Sequence, residues 1–113
     1  MSAALRFEPR RELGRTGFRA TRIGAGDLAD RSLPLETCVR TLRRALDAGV
    51  NLVDTAPNYE DGYSEQIVGA ALAGRRQGIF VVDKVDHWER PVLPQVGESL
   101  GRLRLSSVDL FVF

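Results

Sequence analysis

The chain has 113 residues, enough for one domain of ordinary size, with 43% apolar and 27% charged residues of interleaved sign. This composition excludes a mostly disordered chain, and a net charge of +1 argues against nucleic acid or an anionic membrane surface as the main partner. A single cysteine, Cys38, excludes an internal disulfide framework, no apolar run is long enough to span a bilayer, and Met1 to Arg6 lack the apolar core of a signal peptide, so the expectation is a soluble cytoplasmic protein.

Residues 1–10 are polar, carry Pro9 and read as a flexible arm, and residues 11–113 read as the domain. Arg11 to Thr21 flank a Gly14-Arg15-Thr16-Gly17 turn and read as a small hairpin. Arg22 to Ala25 is a short strand. Pro34 to Ala48 is a helix with Leu35, Val39, Leu42 and Leu46 on one face, Pro34 in its first turn and Gly49 at its C-terminal cap. Val50 to Val53 is a strand. Ser64 is placed to cap a second helix to about Ala73, which turns Ile67, Ala71 and Leu72 inward and ends at Gly74. Ile79 to Val82 is a strand. Pro91 to Leu103 is a third helix with Val92, Val96, Leu100 and Leu103 on one face, and Val108 to Phe113 is a fourth strand.

Strand starts recur at intervals of roughly 29 residues, the length of one strand-helix unit in a parallel sheet. The strands are short, rich in Val and Ile and apolar on both faces, as a covered parallel sheet requires. Two architectures fit this α/β pattern: a doubly wound open sheet and part of an eight-stranded barrel. Both place chemistry at the C-terminal ends of the strands. Gly24-Ala25-Gly26-Asp27-Leu28-Ala29 is a weak match to a dinucleotide fingerprint, because no helix starts there.

Three residues fall at those strand ends. Asp54 directly follows Val53, Tyr59 lies on the loop after it, and Lys84, the only lysine of the chain, follows the third strand. Taken singly, each has an ordinary explanation. A strand-end Asp bonds loop amides, a loop tyrosine covers a rim, and a lysine between Asp83 and Asp86 belongs to a solvated charge cluster. Together they are the parts for protonating a carbonyl oxygen. A free phenol is a poor acid at neutral pH, a nearby ammonium stabilises its phenolate, and a carboxylate keeps that ammonium charged and oriented. The hydride must come from a cofactor, since no side chain supplies one.

With these residues in place, the sequence resembles the aldo-keto reductase family from about Arg11 to Phe113. Leu13-Gly14-Arg15-Thr16-Gly17 is similar to the family's N-terminal hairpin. Ala45 to Ala56, continuing through Tyr59 to Gly62-Tyr63-Ser64-Glu65, is similar to its second-strand signature. Val82-Asp83-Lys84-Val85 resembles the third-strand lysine motif, and Ser99-Leu100-Gly101-Arg102-Leu103 with Val108-Asp109-Leu110 resembles the approach to the fourth strand.

The resemblance implies a (β/α)8 TIM barrel, here a partial barrel with an N-terminal β-hairpin, four parallel strands and three helices. It implies reduction of an aldehyde or ketone by hydride transfer from NADPH, acting on a small-molecule carbonyl or alcohol substrate. Tyr59 would be the general acid, Lys84 the ammonium that stabilises its phenolate, and Asp54 the partner of Lys84. Gly26 and Asp54 would border the cofactor and Trp88 would line the substrate pocket; no metal ligands are assigned.

Three positions depart from the family's pattern. Asp27 stands where Thr or Trp is frequent, Glu60 where glycine follows the tyrosine, and Asp83 where a small or hydroxyl residue precedes the lysine. Asp83 is therefore expected to compete with Asp54 for Lys84. The family's catalytic histidine would follow Phe113, so three of four catalytic residues are expected here, with NADPH bound weakly if at all by this chain alone. His87 lies on a different strand's loop and is a poor substitute. An alternative is a non-catalytic half-barrel that associates through its open strand edge, and a flavodoxin-like or Rossmann-like binding domain is the remaining reading.

Overall fold

The computed structural model describes residue 7 and residues 9–113, so residues 1–6 and 8 of the expected arm lie outside the described residues. The chain opens with a hairpin of β1 (Arg11–Glu12) and β2 (Arg19–Ala20), paired antiparallel with Arg11 opposite Ala20. Its turn needs left-handed backbone at Gly14 and Gly17, with φ of 51° and 78°. Asn51 ties the hairpin to the sheet, accepting from the Thr21 amide at 2.8 Å and donating to the Arg19 carbonyl at 2.9 Å. The Phe18 ring lies 5.4 Å from that of Phe80, so the hairpin covers the N-terminal end of the sheet.

Five further elements alternate as expected: α1 (Leu35–Asp47), β3 (Leu52–Asp54), α2 (Tyr63–Leu72), β4 (Phe80–Lys84), α3 (Val92–Leu103), followed by β5 (Leu110–Val112). The sheet order is β3-β4-β5, all parallel, with Val53 beside Val81 and Val82 beside Leu110. The expectation of four parallel strands is corrected here. The segment Arg22 to Ala25 pairs only through an isolated bridge, Ala25 to Val53. The Thr21 hydroxyl bonds the Ile23 carbonyl at 2.6 Å, a local bond that competes with a ladder and delays pairing until Ala25.

Helix α1 buries Cys38, Val39, Leu42 and Leu46. It ends in a Schellman motif: the amides of Gly49 and Val50 reach back to the carbonyls of Leu46 and Ala45, and Gly49 takes a φ of 107°. Pro34 sits at the N-cap in extended backbone, one position before the helix proper. These side chains join Val53, Ile67, Val68, Leu72, Val81 and Leu103 in one core. Each large aliphatic chain buried there contributes about 1.5–3 kcal/mol.

Two helix expectations need correction. Ser64 does not cap α2; Gly62 does, at φ 88°, and Ser64 is buried with its hydroxyl 2.8 Å from that of Thr55. On α3 the buried residues are Gln95, Ser99 and Leu103, while Val92 is exposed and Val96 and Leu100 are half-buried. Gln95 is buried because its amide closes the preceding loop, donating to the carbonyls of His87, Arg90 and Pro91 and accepting from the His87 amide. Helices α2 and α3 touch at Gly69, where an added Cβ would sit 2.2 Å from the Leu103 carbonyl oxygen.

Strand β4 runs two residues further than Val82, so Asp83 and Lys84 belong to the strand itself. Its alternation turns Val81 and Asp83 under the helices, and Val82 and Lys84 to the opposite, inner face. Strand β5 is shorter than expected. Asp109 anchors its start, its amide donating to the Val81 carbonyl while its carboxylate accepts from the Val81 amide and Arg76.

Candidate active site

The parallel register brings the ends of β3 and β4 to one rim. Pairing of Asp54 with Val82 leaves Lys84 two residues further along, on the same face as Asp54. Lys84 Nζ donates to Asp54 Oδ1 at 3.0 Å, to Asp54 Oδ2 at 2.9 Å and to the Thr55 carbonyl at 2.9 Å. It also lies 4.8 Å from the centroid of the Tyr59 ring. Burial is the largest single influence on Lys84 and disfavours its charge, but the Asp54 carboxylate and the Tyr59 phenol together outweigh it and hold the ammonium above its ordinary range.

Tyr59 is delivered by a tight loop. Its amide donates to the Ala56 carbonyl, and its own carbonyl accepts from the Ser64 amide at the start of α2. Glu60 and Asp61 then take left-handed backbone, with φ of 50° and 56°, before Gly62 at 88°. Three consecutive residues at positive φ need support from outside the loop. Arg31 supplies it: its guanidinium donates to the carbonyls of Glu60 and Asp61 and lies 4.9 Å from the Tyr63 ring centroid. On the other side, the Arg102 side chain passes over Gly62, where a Cβ would meet it at 2.9 Å.

The expected site residues divide into two groups. Asp54, Tyr59 and Lys84 are brought together. Gly26 lies on the same rim, one residue past the Ala25–Val53 bridge, exposed and, among the described residues, with no atom near an added Cβ. Trp88 is 78% exposed on the loop after β4 and is not packed against this trio. His87 is also turned elsewhere, with Nδ1 2.9 Å from Glu89. Asp27 accepts from the Ala29 amide in a local turn. Arg31 and Thr55 were missed by sequence reasoning, since a loop arginine and a threonine carbonyl carry no spacing signal.

Asp83 corrects another expectation. It does not compete with Asp54 for the lysine ammonium, because strand alternation sends the two side chains to opposite faces. Asp83 is fully buried under α2 and α3, and its Oδ1 accepts the Lys84 backbone amide at 2.8 Å. Burial, then the neighbouring Glu65 carboxyl, pushes Asp83 well above the ordinary carboxylate range, to about 8. Glu65 is fully buried too, and Arg102 Nε donates to its Oε1.

Comparison with known proteins identifies the family. The sequence model of the Aldo/keto reductase family matches residues 22–113. The chain is 35% identical over 114 residues to aldo-keto reductase YhdN of Bacillus subtilis, covering 85% of this chain and 34% of that protein. It is 38% identical over 80 residues to methylglyoxal reductase YeaE of Escherichia coli, covering 68% of this chain and 28% of that one. A crystal structure of an aldo-keto reductase from Klebsiella pneumoniae in complex with NADPH superposes with a TM-score of 0.76 at 30% identity, over 82% of this chain and 34% of the other. The chain thus spans about a third of the length of the curated relatives it matches.

Proposed function

The chain belongs to the aldo/keto reductase family, with that family's (β/α)8 barrel in part, and from that premise we propose that it carries the proton-donating part of a carbonyl-reducing site. Tyr59 is the general acid in this reading, Lys84 its electrostatic partner and Asp54 the anchor of Lys84. The observation that supports it most directly is the junction at Lys84 Nζ, bonded to both Asp54 oxygens and set beside the Tyr59 ring.

The chemistry follows from the charges. Lys84 is held by three acceptor contacts and keeps its proton. It is therefore a fixed positive charge beside the phenol. As a substrate carbonyl oxygen gains negative charge, Tyr59 Oη donates its proton, and the ammonium stabilises the phenolate left behind. Asp54 keeps Lys84 from turning toward solvent.

The proposed reductant is NADPH. The donor set fits its reacting end, because the acid, the ammonium and the carboxylate converge on one open rim. Gly26 and Asp54 would border the cofactor, and Gly26 offers open space there. A reduced nicotinamide, when bound, supplies hydride to the carbonyl carbon. With only these residues bordering it, weak NADPH binding is expected of this chain alone. Trp88, exposed on a loop of the same rim, is the proposed substrate contact. A small oxoaldehyde is the first substrate to assay, since two relatives are named methylglyoxal reductases, one of them NADH-specific.

The test is NADPH oxidation with methylglyoxal by the wild type and by Tyr59→Phe. A loss of about 10²-fold or more in kcat, with an unchanged circular dichroism spectrum, is expected for an essential general acid. Undiminished turnover by Tyr59→Phe would refute the assignment. The exposed Leu110, Val112 and Phe113 at β5 favour a second reading, a non-catalytic half-barrel that associates through this edge. A dimer by light scattering, with no turnover by the wild type, would select it.

A further inference from the structure

Behind the sheet, on the side away from Tyr59, two fully buried carboxyl groups face each other. Asp83 comes from β4 and Glu65 from α2, and the Glu65 carboxyl is, after burial, the strongest influence on Asp83. Their other bonds are accounted for. Asp83 Oδ1 accepts the Lys84 amide, and Glu65 Oε1 accepts Arg102 Nε. What remains is one oxygen on each, Asp83 Oδ2 and Glu65 Oε2, both buried and without a partner among the described residues.

Two carboxylate oxygens cannot donate to each other, and a buried acceptor left unpaired costs about 1–3 kcal/mol, more when charged. A single proton between them removes both deficits. The balance of charge agrees: Arg102 neutralises one negative charge, and α2, α3 and β5 supply no second cation to this pair. Glu98, the one acid of α3, is paired with Arg90. The Lys84 ammonium, paired with Asp54 on the opposite face of the sheet, opposes the proton on Asp83 but is the smallest of the influences on it.

We propose that Asp83 and Glu65 share one proton, and that Asp83, anchored by that bond, is a positioning residue that fixes the end of β4 from which Lys84 reaches Asp54. The chain is continuous: Arg102 on α3 holds Glu65 on α2, Glu65 holds Asp83 through the proton, and Asp83 holds the Lys84 amide. The positioning role rests on the reading of Lys84 as the ammonium of the proton-donating site; the shared proton does not. The raised titration of Asp83 has the sign this requires.

The sign of the pH effect follows. A carboxyl whose folded value lies above its unfolded value keeps a proton that the unfolded chain releases. Stability is therefore greatest below the unfolded value of 3.8 and falls as pH rises toward the folded value of about 8. A one-proton linkage changes the unfolding equilibrium by up to about tenfold per pH unit in that window.

The conservative variant separates this role from mere packing. In Asp83→Asn the amide oxygen can still accept the Lys84 amide, and the NH2 can donate to Glu65 Oε2 without titrating. Asp83→Ala removes both bonds. The experiment measures urea unfolding from pH 5 to 8 for the wild type and both variants, with infrared difference spectra for a protonated carboxylic acid. The Cε resonance of Lys84, the only lysine, is followed by 13C NMR. The expected result is a protonated-acid band at neutral pH in the wild type, lost in Asp83→Asn. That variant should also keep the wild-type Lys84 resonance and show a flattened pH slope, while Asp83→Ala shifts the resonance. No acid band, or an Asp83→Asn as unstable as Asp83→Ala at every pH, would overturn the shared proton. An unmoved Lys84 resonance in a folded Asp83→Ala would overturn the positioning role. None of these readouts requires turnover, so a failed Tyr59 assignment would leave the shared proton standing.

Discussion

Replacing Asp54 by asparagine isolates the part of the candidate site that the structure specifies most fully. The change is nearly isosteric and leaves Lys84 one neutral acceptor in place of two charged ones at 3.0 and 2.9 Å. A hydrogen bond to a charged group contributes about 1.5–3 kcal/mol. The Asp54 and Lys84 side chains are 41% and 27% exposed, so solvent screening places this pair toward the low end, about 1–2 kcal/mol. That energy favours the charged amine over the neutral one. Burial already acts on Lys84 in the opposite direction and is the largest single influence on it. Removing the carboxylate should therefore lower the alkaline titration midpoint of Lys84 relative to the wild type. A 13Cε-lysine label reports this amine alone, because the chain has one lysine. A midpoint that stays put or rises in Asp54→Asn would refute the pairing as the reason Lys84 holds its charge.

Two further substitutions test the supports of the site. Gly69→Ala places a Cβ 2.2 Å from backbone oxygen at the end of α3, which no side-chain rotation relieves, and should cost about 1–3 kcal/mol in urea unfolding despite a helix-propensity gain of about 1 kcal/mol. A stabilised Gly69→Ala would mean that α2 and α3 part without loss. Arg31→Ala removes the guanidinium from the carbonyls of Glu60 and Asp61 and should speed amide hydrogen exchange at Tyr63 and Ser64 while leaving α1 and β4 protected. Equal exchange in the two proteins would show that the left-handed turn holds itself.

Much of this architecture was legible because it rests on local periodicity. The apolar spacing of Val39, Leu42 and Leu46 identified the buried face of α1, and Gly49 its end, since both follow from helix geometry alone. The trio of Asp54, Tyr59 and Lys84 was legible for another reason: a parallel sheet obliges successive strand ends to share a rim. The misses have a common cause, which is tertiary hydrogen bonding. Val92, Val96 and Leu100 show a sound apolar stripe, yet Gln95 and Ser99 take the buried face because the loop from His87 to Pro91 needs the Gln95 amide. Ser64 has the chemistry of a cap, but Thr55 claims its hydroxyl and Gly62 makes the turn. Arg31 acts across 29 residues of chain on backbone carbonyls, which no motif announces.

Asp83 shows how a single register decides the meaning of a charge. Read along the chain, it is one of two acids flanking the lysine, and competition with Asp54 is the natural inference. That inference assumes a loop, where neighbouring side chains meet the same solvent. Extending β4 by two residues replaces the loop by a strand, and in a strand adjacent side chains leave from opposite faces. Lys84 then faces the open rim, where a partner carboxylate keeps it charged. Asp83 faces the helices, where a second carboxyl and the absence of water favour its proton. The same two residues of backbone set an ammonium held in its charged form on one face of the sheet and a carboxyl whose titration is raised on the other. A substitution at either position is thus expected to act on a different property: at Lys84 on the proposed proton donor, at Asp83 on the pH dependence of stability.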